Sequence, residues 1–202
     1  MSRDIVTVIK SVNYSEADKI LTVFGRERGK FTLFAKGIRK INSKNRGNMQ
    51  TLCTSSISFF EGKGMPLLTE SQLESTLDIE HLHVQNVRRI LFLLNKFLQE
   101  GEQYPPLFDS LQRALKKGLD LASTNKLRII FLKEMGFLED FTKCKYCRSK
   151  DDIVYLDTRN FALVCENCYS IGRDKKLGEN PYESKVLTNA LDEYIKRIVE
   201  EI

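Results

Sequence analysis

Three observations predict an α+β multi-domain chain, a small β-barrel followed by an α-helical domain that carries a four-cysteine ribbon. Apolar residues fall in short β-type runs up to Glu74 and then repeat at three- and four-residue steps from Val84 onward. Four of the five cysteines stand in two C-x-x-C pairs. The net charge of +5 lies entirely in the first part: residues 1–76 hold 12 Lys+Arg against 7 Asp+Glu, and the remainder is balanced.

The strand reading rests on "IVTVIKSV" and "KILTVF", rich in β-branched residues, on the alternating "KFTLFAK", and on "SSISFFE" and "LLTESQLE". Turn signals separate them: "NYSEAD", "GRERGK", the long basic "GIRKINSKNRGN", and "EGKGMP". Five short strands in about 70 residues suit a closed barrel, because closure removes exposed edges. The OB-fold is the five-stranded barrel of this size, and its surface commonly carries single-stranded nucleic acid. This sets a first domain at 1–76.

Beyond it, Val84, Val87, Ile90, Leu91, Leu94, Phe97 and Leu98 make a helical stripe. "YPP" at 104–106 opens a second helix with Leu107, Leu111, Leu115 and Leu119 every fourth residue. "TNKLRIIFLKEMG" is a third, with Gly136 as its C-terminal stop. The last helix carries Val186, Leu187, Leu191, Tyr194, Ile195, Ile198, Val199 and Ile202 on one face and is expected to pack on the other three. The expected division is therefore a helical domain in two parts, 77–140 and 171–202, with a ribbon inserted at 141–170.

Cys144, Cys147, Cys165 and Cys168 form a C-x2-C-x17-C-x2-C pattern. Four thiolates at this spacing close a tetrahedron around one Zn2+ at about 2.3 Å per bond. "DDIVYLDTRNFALVC" between the pairs reads as two strands turning at "DTRN", a unit too small to bury a core without metal. A four-thiolate set leaves no open position for water or substrate, so the zinc is structural rather than catalytic. Rubredoxin-like iron and a redox dithiol are the weaker alternatives. Cys53, in an apolar-alternating stretch, reads as a small buried residue.

The basic residues Arg26, Arg28, Lys30, Lys36, Arg39, Lys40, Lys44 and Arg46 face only Glu27 between positions 26 and 46. A local positive field of this kind attracts polyanions, and these eight are the candidate nucleic-acid contacts. "GRERGKF" fails as a P-loop, since Gly25 and Gly29 enclose three residues and Phe31 follows Lys30; it reads as a basic hairpin turn. His81 and His83, the only histidines, read as polar surface, and no catalytic constellation is visible. Phe34 stands on the face of its strand opposite Phe31, Leu33 and Ala35, where it either stacks on bases beside Lys36 or packs under a neighbouring element. No apolar run nears the ~20 residues of a membrane span, and the N-terminus has no secretory h-region, so a cytoplasmic protein with no membrane partner and no small-molecule substrate is expected.

The stretches "NYSEADKILTVFGRERGKFTLFAKGIRK", "SKNRGNMQ" and "LRIIFLKEMGFLEDFTKCKYC…CENC" resemble, in this order, the RecO family of bacterial DNA-repair and recombination mediators. The resemblance covers nearly the whole chain. It implies an OB-fold, a helical domain and a zinc ribbon. It also implies binding of single- and double-stranded DNA, annealing of complementary strands, and cooperation with RecR and the C-terminal tail of single-stranded-DNA-binding protein (SSB) to load RecA. A location at the bacterial nucleoid follows from these partners. Thr51 departs from the proline usual after the "Q" of "RGNMQ", and the chain is shorter at its C-terminus than many relatives. The leading expectation is a non-enzymatic DNA-binding mediator. The alternatives are an RNA- or ribosome-associated module and, against the closed thiolate set, a metalloenzyme.

Overall fold

The computed structural model describes residues 1–77, 83–178 and 180–202, which form two units, Met1–Leu119 and Asp120–Ile202. In the first unit, β1 (Ser2–Asn13), β2 (Lys19–Gly25), β3 (Gly29–Ala35), β4 (Thr54–Phe60) and β5 (Leu67–Ser75) close a barrel in the order β1-β2-β3-β5-β4. All pairs are antiparallel except the short parallel junction of β3 with β5 at Phe34 and Leu67. This is the five-stranded OB-type barrel that the alternation predicts. Its interior is filled by the inward positions of each strand, among them Val6, Val8, Leu21, Val23, Leu33, Ile57, Phe59 and Leu68, with Ile38 and Met49 contributed by the β3–β4 connection. A short helix, α1 (Asn45–Asn48), interrupts the basic connection that the sequence reads as loop throughout. Its Asn48 side chain donates to the Ser71 carbonyl at 2.8 Å, and Asn45 accepts from the Ser71 hydroxyl at 2.8 Å, which fastens the connection to β5.

"GRERGK" is a hairpin turn, with Gly25 paired to Gly29 and Arg26–Arg28 as its three-residue loop. Gly29 has φ +65°, and a Cβ there would sit 1.7 Å from the Glu102 carbonyl oxygen, so only glycine fits. Two helices complete this unit. The apolar stripe from Val84 becomes α2 (Val84–Phe97), and Pro105, pre-set for a first turn, opens α3 (Pro105–Lys116). Phe24 on the barrel exterior meets Phe108 of α3 edge to face at 5.5 Å. Such a pair adds about 1 kcal/mol beyond the burial of its area. Buried Thr7 and Thr54 share a hydrogen bond at 2.8 Å, and both bond to Gln112 of α3 at 2.8 and 2.9 Å. Polar groups enclosed between barrel and helix are thus satisfied.

In the second unit, α4 (Leu121–Glu134) begins at Asp120, whose carboxylate accepts from the Ser123 N–H at 2.6 Å, an N-cap worth about 1 kcal/mol. It ends where predicted, at Gly136, φ +76°. Next come β6 (Ile153–Asp157), β7 (Ala162–Cys165) and β8 (Asp174–Lys176), in the sheet order β7-β6-β8. The last helix, α5 (Lys185–Glu201), buries Leu187, Leu191, Ile195 and Ile198 and leaves Ile202 exposed. It packs against α4, where Asn125 donates to Thr188 Oγ1 at 3.0 Å and Arg128 pairs with Asp192. Helices therefore occur in both units, α2 and α3 in the first, α4 and α5 in the second.

Candidate nucleic-acid interface and metal centre

The structure sorts the eight candidate cations by where their heads go. Three are engaged by the fold. Arg26 lies 3.5 Å from Asp109 of α3. Arg28 pairs with Glu61 and sits over the rings of Phe31 and Phe59 at 5.4 and 5.2 Å. Lys30 points at the end of α2 and donates to the carbonyls of Asn95 and Leu98 at 3.0 and 2.7 Å. There it satisfies orphan C-terminal carbonyls with a cation of the favourable sign, while burial holds its pKa below the usual lysine value.

The other five, Lys36, Arg39, Lys40, Lys44 and Arg46, are exposed in one connected segment, and among the described residues none takes part in an ion pair. That segment is held at both ends. The Arg39 N–H donates to the Ala17 carbonyl at 2.9 Å and its guanidinium to the Ser15 carbonyl at 2.7 Å, tying it to the β1–β2 loop. Asp18 accepts from the Gly37 N–H at 2.7 Å, which keeps the Asp18 pKa low. At the far end α1 is fastened to β5, and Lys44 and Arg3 line an open groove of about 570 Å³ with Asn45, Ser56, Ser58 and Ser71. Arg3 is not one of the eight cations that the sequence singles out, because it lies in β1, far along the chain from the basic run. Only the β1–β4–β5 pairing brings it near Lys44.

The four paired cysteines converge. Their Sγ atoms all lie within 4.8 Å of one another, with Cys147 and Cys165 at 3.5 Å. A tetrahedron with ~2.3 Å metal–sulfur bonds has edges of about 3.8 Å, so the set fits one thiophilic ion. Among the described residues it is the one group of three or more His, Cys, Asp or Glu side chains placed to hold a metal. The first pair sits on a tight turn, with Cys144 N–H donating to the Ser149 carbonyl at 2.8 Å and Lys145 N–H to the Leu163 carbonyl at 2.9 Å. The second pair ends β7 and continues into a 3-10 turn, Glu166–Cys168. Burial pushes the Cys144 thiol up, but hydrogen bonds from the backbone of Cys147, Cys165 and Tyr146 outweigh it and bring its pKa to about 6. Hydrogen bonding with Cys165 and Cys147 pushes Cys168 up to about 12. Thiolates this close oppose one another's ionisation, and a bound dication relieves that opposition.

The ribbon turns at Asp157–Asn160, as "DTRN" predicts. Buried Asp157 accepts from the N–H groups of Arg159 and Asn160 at 3.1 and 3.2 Å and from the Asn160 amide at 2.7 Å. Rings of Phe141, Phe161 and Tyr194 stack in series at 5.0 and 4.7 Å and join the ribbon to α5. Cys53 is buried at 5% exposure and is not among the four clustered cysteines. His83 is exposed just before α2, and His81 lies outside the described residues. Phe34 is half-buried and meets exposed Tyr14, so neither of its two expected environments describes it alone.

Comparison with known proteins bears on what this arrangement belongs to. The family description "Recombination protein O N terminal" matches residues 1–77 and "Recombination protein O C terminal" matches residues 88–177. The DNA repair protein RecO of Syntrophomonas wolfei is 32% identical over 172 residues, 80% of this chain and 67% of that protein. The DNA repair protein RecO of Desulforamulus reducens is 32% identical over 171 residues, again 80% of this chain and 66% of that protein. The DNA repair protein RecO of Clostridium perfringens is 28% identical over 170 residues, 80% of this chain and 69% of that protein. The chain spans about two thirds of the length of these curated relatives. Among the described residues no helix is long and apolar enough to cross a membrane. On the matched regions and on identity above 30% across most of its length, the chain belongs to the RecO family of DNA repair proteins.

Proposed function

We propose that this chain is a non-enzymatic DNA-binding mediator of recombination that anneals complementary strands and, with RecR, assists RecA loading on SSB-coated single-stranded DNA. The observation that carries this reading is the anchored segment of five exposed cations, Lys36, Arg39, Lys40, Lys44 and Arg46, on an OB-type barrel of a DNA repair family. Arg26 and Arg28, at the hairpin tip, remain within reach of phosphate by exchanging their ion pairs, which solvent exposure keeps weak. Cationic side chains that meet phosphates release condensed counterions and add affinity without reading sequence, which suits action at any gap. Annealing requires two polyanions to approach while their bases stay free. Screening of phosphate repulsion is what a basic surface contributes.

The four thiolates support one structural Zn2+, with no open position for chemistry. A cytoplasmic, nucleoid-associated site of action follows from the DNA substrate. The SSB tail and RecR are assigned no residues. The test is annealing of SSB-coated complementary strands with and without this protein. Acceleration supports the reading. No acceleration, or equal affinity for matched RNA, would count against a DNA mediator and for an RNA-associated module.

A further inference from the structure

The two cysteine turns are joined by side chains that are not ligands. Arg173, five residues beyond Cys168, forks onto Asp174, its Nε donating to Oδ1 at 2.7 Å and a terminal nitrogen to Oδ2 at 2.8 Å. The same terminal nitrogen donates to the Cys168 carbonyl at 3.2 Å. The guanidinium also lies over the Tyr146 ring, 4.6 Å from its centroid. Tyr146 stands between Cys144 and Cys147, so one planar cation touches both turns. The Tyr146 hydroxyl in turn donates to Asp157 Oδ2 at 3.2 Å.

Two buried acids hold this cation still. Asp157 and the Asp174 carboxylate are both fully buried, and the pairing of β6 with β8 sets the two residues directly opposite each other. Like charges in that position repel, and a buried carboxylate is costly unless it is paired or hydrogen-bonded. Asp157 has the N–H groups of its turn and the Tyr146 hydroxyl. Asp174 has the Ser170 N–H at 2.9 Å and the Arg173 fork. Arg173 therefore supplies the opposite charge that lets two acids share one face of the sheet. A guanidinium forked onto a buried carboxylate has little freedom, so its two further contacts, on Tyr146 and on the Cys168 carbonyl, are fixed as well. Tyr169, next after Cys168, adds a second tie, its ring stacked on Tyr155 of β6 at 4.1 Å.

We propose that Arg173 is a positioning residue for the metal centre, spanning the two cysteine turns so that the four thiolates keep the arrangement that retains one ion. The inference rests on the four-thiolate reading above and adds to it what holds the ion in place. Loss of an ion from four thiolates begins with one turn swinging away, and a displaced thiolate rebinds as long as its turn stays near. Arg173 keeps it near. Groups that orient ligands without touching the metal commonly change metal affinity about 10- to 100-fold.

The full chain is loaded with Zn2+, and release to an excess of a chromogenic chelator is timed. In parallel, Co2+ replaces Zn2+ so that its visible absorption bands report the ligand geometry. Arg173→Ala should release zinc about 10- to 100-fold faster and alter the Co2+ bands. Arg173→Lys, a cation without the planar fork, should not restore slow release. Tyr146→Phe keeps the ring beneath the guanidinium and should stay near the natural chain, whereas Tyr146→Leu should release faster. Phe161→Leu removes a ring from the series that joins the ribbon to α5 and leaves the Arg173 contacts in place. It should lower the melting temperature without faster release. Natural release rates in both Arg173→Ala and Tyr146→Leu would overturn the proposal. So would release that quickens in Phe161→Leu as much as in Arg173→Ala at equal loss of melting temperature, since Arg173 would then only stabilise the ribbon. A natural chain that binds neither ion would overturn the four-thiolate reading and this proposal with it.

Discussion

Lys30 and Lys36 stand six residues apart in the same basic run, yet the fold gives them opposite jobs. Lys30 closes the end of α2 through the Asn95 and Leu98 carbonyls, whereas Lys36 faces solvent. Lys30→Met should therefore cost about 1–2 kcal/mol of stability and leave the salt dependence of single-strand binding unchanged. Lys36→Ala should be neutral for stability, within about 0.5 kcal/mol, and lower the slope by about 0.7. Urea denaturation and salt-dependent anisotropy measure the two halves. Asp4 provides a second residue-scale test. Burial raises its pKa above 3.8, against hydrogen bonds from the N–H groups of Glu27, Ile5 and Arg28. The folded state holds this proton more tightly than the unfolded chain does, so ionisation opposes folding. The stability of the natural chain relative to Asp4→Asn should fall as pH rises from about 3.8 through the folded value. A difference that stays flat across that window, measured by urea midpoints, would contradict the burial argument. At this scale charge was legible in the sequence and direction was not. Eight cations could be counted, but only the pairing of β3 with its neighbours shows that Lys30 turns inward. Tyr14 carried no signal at all, because its ring contact is with Phe34, twenty residues away.

Among elements, the ribbon depends most on something outside its own sequence. Residues 144–176 build a three-stranded sheet whose buried cluster at the cysteines consists of Cys144, Val164 and Cys165, with Tyr155 and Cys168 packed on it, while Leu156, Phe161 and Leu163 are buried elsewhere along it. So few buried side chains cannot offset the chain entropy of ordering about thirty residues, at ~1–2 kcal/mol each for the backbone. Chelation of the metal, or Cys144→Ser, should therefore unfold the ribbon, and amides of β6 and β7 should lose hydrogen-exchange protection while those of β1 to β5 keep theirs. Protection retained in β6 and β7 after metal removal would show that the ribbon stands on its own packing. The spacing of the cysteines and the "DTRN" turn made this element readable, since ligand geometry and turn chemistry are local. The barrel strands were readable for the same reason, through alternation. Which helices share a core was not readable. An apolar stripe such as Leu107, Leu111 and Leu115 states that a face is buried and carries no label for its partner; α3 meets the barrel through Phe108 against Phe24 and through Gln112 on Thr7 and Thr54. The short α1 was hidden as well, because four residues within a basic, Gly- and Asn-rich run carry no helical period.

For the molecule as a whole, a closed barrel supplies a rigid wall, and the connection between β3 and β4 displays cations on it at fixed positions. On the proposed reading, phosphate contacts would give binding without sequence preference, and a metal on the four thiolates would supply stability rather than a chemical step. The central claim is that Arg39, Lys40, Lys44 and Arg46 are the phosphate contacts. The measurement that tests it most directly is single-stranded DNA affinity as a function of salt, for the natural chain and for the variant with all four replaced by Glu. If the claim holds, the variant keeps its folded barrel, loses annealing, binds weakly at all salt concentrations, and shows a log–log salt slope shallower by about 3. A folded variant with the same affinity and the same slope would contradict it.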